Sequence, residues 1–163
     1  MGFFDRLFGK KKDDNDNNLS GSAGPESQQA SDMGLDGKSA AAILAEIDID
    51  KAISAHENWK ARLQNYLDGQ STEDLKPEVI CLDNRCDLGQ WLHGPGQQRL
   101  GKYPAFSALI ARHQHFHLQA ANVVTLVQAD KKAEASRVMD SSYRHASNQV
   151  VLLLKELKRG LGR

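Results

Sequence analysis

The chain has 163 residues, is 40% hydrophobic and 26% charged, and balances 21 basic against 21 acidic side chains. That size and composition suit one globular domain with a tail, and zero net charge gives no basic excess of the kind a nucleic-acid binder uses, so no nucleic-acid partner is expected. Two cysteines make no disulfide framework, no apolar run approaches the ~20 residues that span a bilayer, and Asp5 with Arg6 interrupt any signal peptide, so a soluble cytoplasmic protein is expected.

The neutral total hides an asymmetry along the chain. Residues 1–12 carry four positive charges and one negative, residues 13–48 one positive and eight negative, and residues 49–163 sixteen positive and twelve negative. In the first segment, MGFFDRLFGKKK, a helix would put Phe3, Phe4, Leu7 and Phe8 on one face ahead of Lys10, Lys11 and Lys12. Such a peptide reads as a membrane or partner contact, peripheral at the inner membrane if the surface is anionic lipid. The alternative is a tail whose phenylalanines fold back on the domain. Arg6 stands where an acylation motif at Gly2 wants Ser or Thr. Residues 13–45 are assigned as a flexible acidic linker, because Asn, Asp, Ser, Gly and Gln dominate residues 13–38 without an apolar period.

The remainder, residues 46–160, is helical in pattern. Ser39 to Ile49 reads as a lead-in helix, and a longer one runs from about Asp50 to Asp68, stopped by Gly69. Its apolar stripe holds Ile49, Ile53, Trp59, Leu63, Tyr66 and Leu67, and at ~100° per residue His56 lies within ~20° of the stripe's centre. Residues 69–80 read as a loop or short turn around Pro77. Leu88, Trp91 and Leu92 then share a face of a short helix expected over about 83–92, ended by Gly94-Pro95-Gly96. Gly89 inside it allows a neighbouring backbone to come close. A third long helix, 104–128, opens on Pro104 and places Phe106, Leu109, Ile110, Phe116, Ala120, Val124 and Val127 in one stripe. A last helix, about 131–157, carries Met139, Tyr143, Ala146, Val150, Leu153, Leu154 and Leu157. The expected fold class is all-α: an up-down antiparallel four-helix bundle, with a short helix carrying a cysteine, after a disordered tail.

His113 and His117 lie at the centre of the third stripe, while His115 and His145 point outward. Any one buried imidazole is explained by a neutral ring with one hydrogen bond. Three in the middle of two core stripes bring donors and acceptors into an apolar seam that offers few partners. A metal resolves this by taking one nitrogen of each ring, and residues four apart on a helix converge on one ion. Taken with Cys86, the set His56, Cys86, His113 and His117 suits Zn2+, which accepts imidazole and thiolate in a tetrahedral site. Four protein ligands leave no open position for a water, and Gln114 stands where His-Glu-x-x-His would have its glutamate, so no enzyme is expected. A diiron site would want several inward carboxylates, and only Glu57 and Asp87 are near.

Three segments carry a resemblance. His56-Glu57-Asn58-Trp59, Cys86-Asp87-Leu88-Gly89-Gln90-Trp91 and His113-Gln114-His115-Phe116-His117 together resemble the chemoreceptor zinc-binding (CZB) domain, over about residues 48–157. The Cys-x-Leu-Gly-x-Trp segment is its most specific part. The resemblance implies zinc ligation by His56, Cys86, His113 and His117. It also implies a regulatory domain of bacterial signalling that adjusts chemoreceptor or diguanylate cyclase output, often as a homodimer. Some members are proposed to sense hypochlorous acid through the zinc-bound cysteine, which would make Cys86 redox-sensitive. No stretch resembles a signalling or cyclase output domain, so the expectation is an output supplied by a partner protein or by membrane attachment. An alternative role is a zinc-stabilised scaffold that docks through residues 1–12. Cys81 reads as a buried small residue or as a resolving thiol, His93 as packed beside Trp91, and Trp59 and Trp91 as core or dimer-seam residues.

Overall fold

A computed structural model describes residues 35–162. Phe3, Phe4, Leu7, Phe8 and the first part of the acidic stretch lie outside the described residues. Within them the fold is all-helical, at 77% helix and without strands.

Most helix starts have a local cause. In α1 (Gly37–Glu46) the Asp36 carboxylate accepts from Ser39 N–H at 2.7 Å. In α2 (Ile49–Leu67) Asp48 does the same for Lys51 N–H at 3.0 Å. Both are N-caps that satisfy an amide the helix leaves bare. α2 ends where Gly69 adopts φ +71°, a left-handed conformation that glycine takes without strain. α3 (Pro77–Ile80), α5 (Pro95–Leu100) and α6 (Pro104–Gln128) all open on proline, whose missing N–H has no partner to lose in a first turn. α4 (Asp87–Leu92) ends at Leu92 as expected, just before Gly94-Pro95-Gly96, and Pro95 also begins a new helix.

Two further expectations change in detail. The short helix starts at Asp87 rather than near Asp83, and Cys86 is its N-cap, with Sγ accepting from Gly89 N–H at 3.3 Å. A β-carbon on Gly89 would strike the Asp83 carbonyl oxygen, so only glycine lets the 83–86 turn lie on α4. The last helix is α7 (Lys132–Val138), a π-helical turn (Met139–Tyr143) and α8 (Arg144–Gly160), running on without a break. The Ser141 hydroxyl donates to the Arg137 carbonyl at 2.6 Å beside the widened turn.

α6 is the axis of the molecule, packing on α2, α3, α4, α7 and α8. Contacts fix the directions. Gln128 at the end of α6 donates to Tyr66 Oη at the end of α2, at 3.0 Å, so these two run the same way. Lys158 near the end of α8 meets Asp50 at the start of α2 at 2.7 Å, so α8 runs against α2. Between α2 and α6 the chain descends alongside α6 in short pieces. Ile80 is at the level of His117, and Trp91 stacks edge-on against Phe106 with centroids 5.8 Å apart. Leu63, Phe106, Leu109, Phe116, Val124, Val150, Leu154 and Leu157 fill the interior at 2% exposure or less. No helix of the described residues is long and apolar enough to cross a membrane.

Candidate metal centre

Among the described residues, three histidines lie in the core: His56, His113 and His117, at 3%, 0% and 5% exposure. They come from the middle of α2 and the middle of α6, and the 83–86 turn brings half-buried Cys86 to them. One ligand atom of each lies within 4.8 Å of all the others. His113 Nε2 is 3.1 Å from His56 Nε2 and 3.1 Å from His117 Nε2. Cys86 Sγ is 3.2 Å from His113 Nε2 and 3.6 Å from His117 Nε2.

Hydrogen bonding on the far side of the rings decides what these nitrogens offer. His56 Nδ1 lies 2.6 Å from the Ala52 carbonyl and His117 Nδ1 2.8 Å from the Ile80 carbonyl. A carbonyl oxygen only accepts, so both Nδ1 atoms carry the proton and both neutral rings present a bare Nε2 lone pair. Burial holds both rings below the usual histidine range, against the pull of those carbonyls. His113 is pushed down to about 2 by burial first and then by the neighbouring imidazoles of His117, His56 and His93. It cannot supply protons to both neighbours. Without a cation, a His113 Nε2–H and the Cys86 thiol would have to be shared among these lone pairs, whereas one cation at their centre takes all of them.

The spacing fits zinc. Bonds of ~2.0–2.1 Å to nitrogen and ~2.3 Å to sulfur at tetrahedral angles separate ligand nitrogens by roughly 3.3–3.4 Å and nitrogen from sulfur by roughly 3.5–3.6 Å. Four of the six pairs, at 3.1, 3.1, 3.2 and 3.6 Å, fall within a few tenths of an ångström of those values, and the other two lie within 4.8 Å. Burial pushes the Cys86 thiol up, and the amide of Gly89 opposes it. A cation would favour the thiolate.

Residues 56–124 match the family model of the chemoreceptor zinc-binding domain, CZB. The matched stretch begins on His56 and includes Cys86, His113 and His117. The cofactor of a CZB domain is zinc, and these four residues form the group here that could hold it. Neither the curated proteins nor the solved structures give a match to the chain.

Other residues singled out in the sequence fall elsewhere. His115 is half-buried and His145 exposed, both away from the cluster. His93 is exposed, and its Nε2 meets Asp83 Oδ2 at 2.8 Å, so its partner is this carboxylate rather than Trp91. Cys81 is half-buried, with its thiol donating to the Glu78 carbonyl at 3.5 Å. Trp91 is core, donating Nε1–H to Glu46 at 3.3 Å, and Glu46 also takes Arg99 at 2.6 Å. Trp59 is half-buried under the Arg62 guanidinium, 3.8 Å from the ring centroid. Asp83 went unremarked in the sequence, although a buried imidazole needs an outer acceptor and the cysteine segment carries this carboxylate three residues before Cys86.

Proposed function

We propose that the chain is a zinc-binding regulatory domain of a bacterial signalling system, in which His56, Cys86, His113 and His117 hold one Zn2+ and Cys86 is the ligand a signal acts on. The supporting observation is the convergence of three Nε2 atoms and one thiol, with two of the rings locked in the required tautomer by backbone carbonyls. Zinc, when bound, supplies a cross-link between elements distant in sequence; structural zinc sites are worth ~10–16 kcal/mol apparent in small peptides. Here the elements joined are α2, the 83–86 turn and α6. In this reading α2, the descending pieces over residues 77–100, α6 and α7 with α8 are the four walls of an up-down bundle.

Sulfur is the vulnerable ligand. Hypochlorous acid transfers its oxygen to the Cys86 thiolate: Cys–S⁻ and HOCl give Cys–SOH and Cl⁻, with sulfur oxidised by two electrons. Sulfenic acid is a weaker donor, so the 83–86 turn would loosen from the imidazoles. Two clefts, of about 700 and 360 Å³, have Cys86 in their walls and give a small oxidant a route. A direct zinc sensor would use the same ligands without oxidation. The role is non-enzymatic, since four protein ligands leave no coordination position for a substrate or water. The output would be chemotaxis or cyclic-di-GMP signalling in the cytoplasm, acting as a homodimer or through a signalling partner.

Cys86→Ser tests this. Zinc content falls from one per chain, the remaining affinity drops by ~100-fold or more on losing one of four ligands, and no oxidant response survives. Cys86→Ser protein that keeps full zinc and still responds to hypochlorous acid sinks the switch. Comparing a chelator with oxidant at fixed zinc separates the two kinds of signal.

The near-complete burial of the three imidazoles also favours a second reading, a scaffold whose zinc is permanent. Its active surface would be Phe3, Phe4, Leu7 and Phe8. Deleting residues 1–12 would then abolish partner or membrane binding and leave zinc content unchanged.

A further inference from the structure

Three imidazoles face the centre of the cluster, but only two are held from behind. His113, the most buried of the three, has an Nδ1 with no hydrogen-bond partner. The nearest charged atom it faces is Asp83 Oδ2 at 3.7 Å, too long for a hydrogen bond. That same oxygen takes His93 Nε2 at 2.8 Å, and the His93 side chain is 43% exposed. A chain of groups therefore runs from the cluster to the surface: His113, Asp83, His93.

Resting on the zinc reading above, we infer that Asp83 is the outer partner that orients His113 toward the metal, and that His93 is the surface residue that holds Asp83 in place. Two arguments carry it. The first is charge. Zn2+ with one thiolate and three neutral imidazoles leaves one positive charge in a buried site, and the Asp83 carboxylate is the negative group beside it that brings the total to zero. The second is geometry. The same short turn carries both residues, with Asp83 beginning it and Cys86 ending it, and the Asp83 carbonyl lies 3.7 Å from Cys86 Sγ. Gly89 allows that turn to sit against α4, so one backbone feature places a ligand and the carboxylate behind another ligand. Binding through Nε2 fixes the His113 proton on Nδ1 and makes it a better donor, and a shift of under an ångström closes the gap to Asp83. His56 and His117 use carbonyls for this purpose; His113 alone reaches a charged group.

The test uses the full chain and zinc itself, with affinity read by competition against a chromogenic chelator and the ring protons read by NMR on ¹⁵N-histidine protein. Asp83→Asn binds one zinc per chain but roughly 10–100-fold more weakly, the range typical for loss of an outer partner. His93→Ala, at an exposed position, weakens binding in the same direction by a few-fold. In zinc-loaded wild-type protein the His113 Nδ1–H resonates downfield as a carboxylate-bonded proton. That shift collapses in Asp83→Asn while the His56 and His117 Nδ1–H signals stay put, a pattern that general loss of structure would not give. Zinc affinity in Asp83→Asn within about two-fold of wild type, or an unmoved His113 signal, overturns the inference. If Asp83→Asn does not fold, the His93→Ala affinity and the wild-type proton shift decide alone. Wild-type protein that takes up no zinc would instead overturn the functional reading itself, so the two failures are distinct.

Discussion

α6 and α8 lie side by side, and each buries one face, but they ask different things of their surroundings. α8 buries Ala146, Val150, Leu153, Leu154, Leu157 and Gly160, with no polar side-chain atom among them. α6 buries Phe106, Leu109, Phe116, Val123 and Val124, and in their midst His113 and His117. Removal of apolar surface from water is enough to hold the first helix in place. In the second, four buried ring nitrogens must be satisfied, and the Ile80 carbonyl of α3 meets only one of them. One region is self-sufficient and the other is built around something to be added. Under the proposed function, a signal acting on that ion would rearrange the α2, 83–86 and α6 corner while the α8 seam holds the fold together.

The sharpest way to break this contrast is to damage the apolar region. Leu157, at 2% exposure, lies beside Lys158, which pairs with Asp50 at the start of α2, about two helical turns and ~10 Å along the axis from His56. Leu157→Ala should lose about 2–5 kcal/mol of unfolding free energy, by the same amount with and without zinc, because distant sites add. Chemical denaturation in zinc and in chelator measures both. A loss that differs between the two conditions would mean the regions are one unit.

A smaller effect should appear at the other region. Gly89→Ala puts a methyl into the Asp83 carbonyl, so the 83–86 turn must move and take Cys86 away from the imidazoles. Zinc affinity should fall roughly 10–100-fold, as for other changes behind a ligand, with helix content by circular dichroism unchanged. Unaltered affinity would show that the turn's position does not matter to the site.

Much of this arrangement was legible in the sequence, for a physical reason. Long helices declare themselves by period, and an imidazole in an apolar stripe stands out against it, so His56, His113 and His117 could be named from spacing. Short elements carry too few residues to show a period. The helix that Pro95 opens went unseen behind the stop before it, and Cys86 looked like part of a helix and is its cap. The π-helical turn at Met139–Tyr143 inserts extra width without changing which residues face inward, so the stripe looked uninterrupted. The pairing of Asp83 with His93 was hidden because it joins a turn to a helix end ten residues later, a contact set by how α4 folds back and by nothing periodic.

The central claim is that three imidazoles and one sulfur hold a single zinc. Zinc-edge X-ray absorption on the purified full chain tests it most directly. The account predicts one zinc per chain with three nitrogens at ~2.0–2.1 Å and one sulfur at ~2.3 Å, the sulfur shell vanishing in Cys86→Ser. A spectrum of the wild-type protein with no sulfur shell, or one whose sulfur shell survives that substitution, would contradict it.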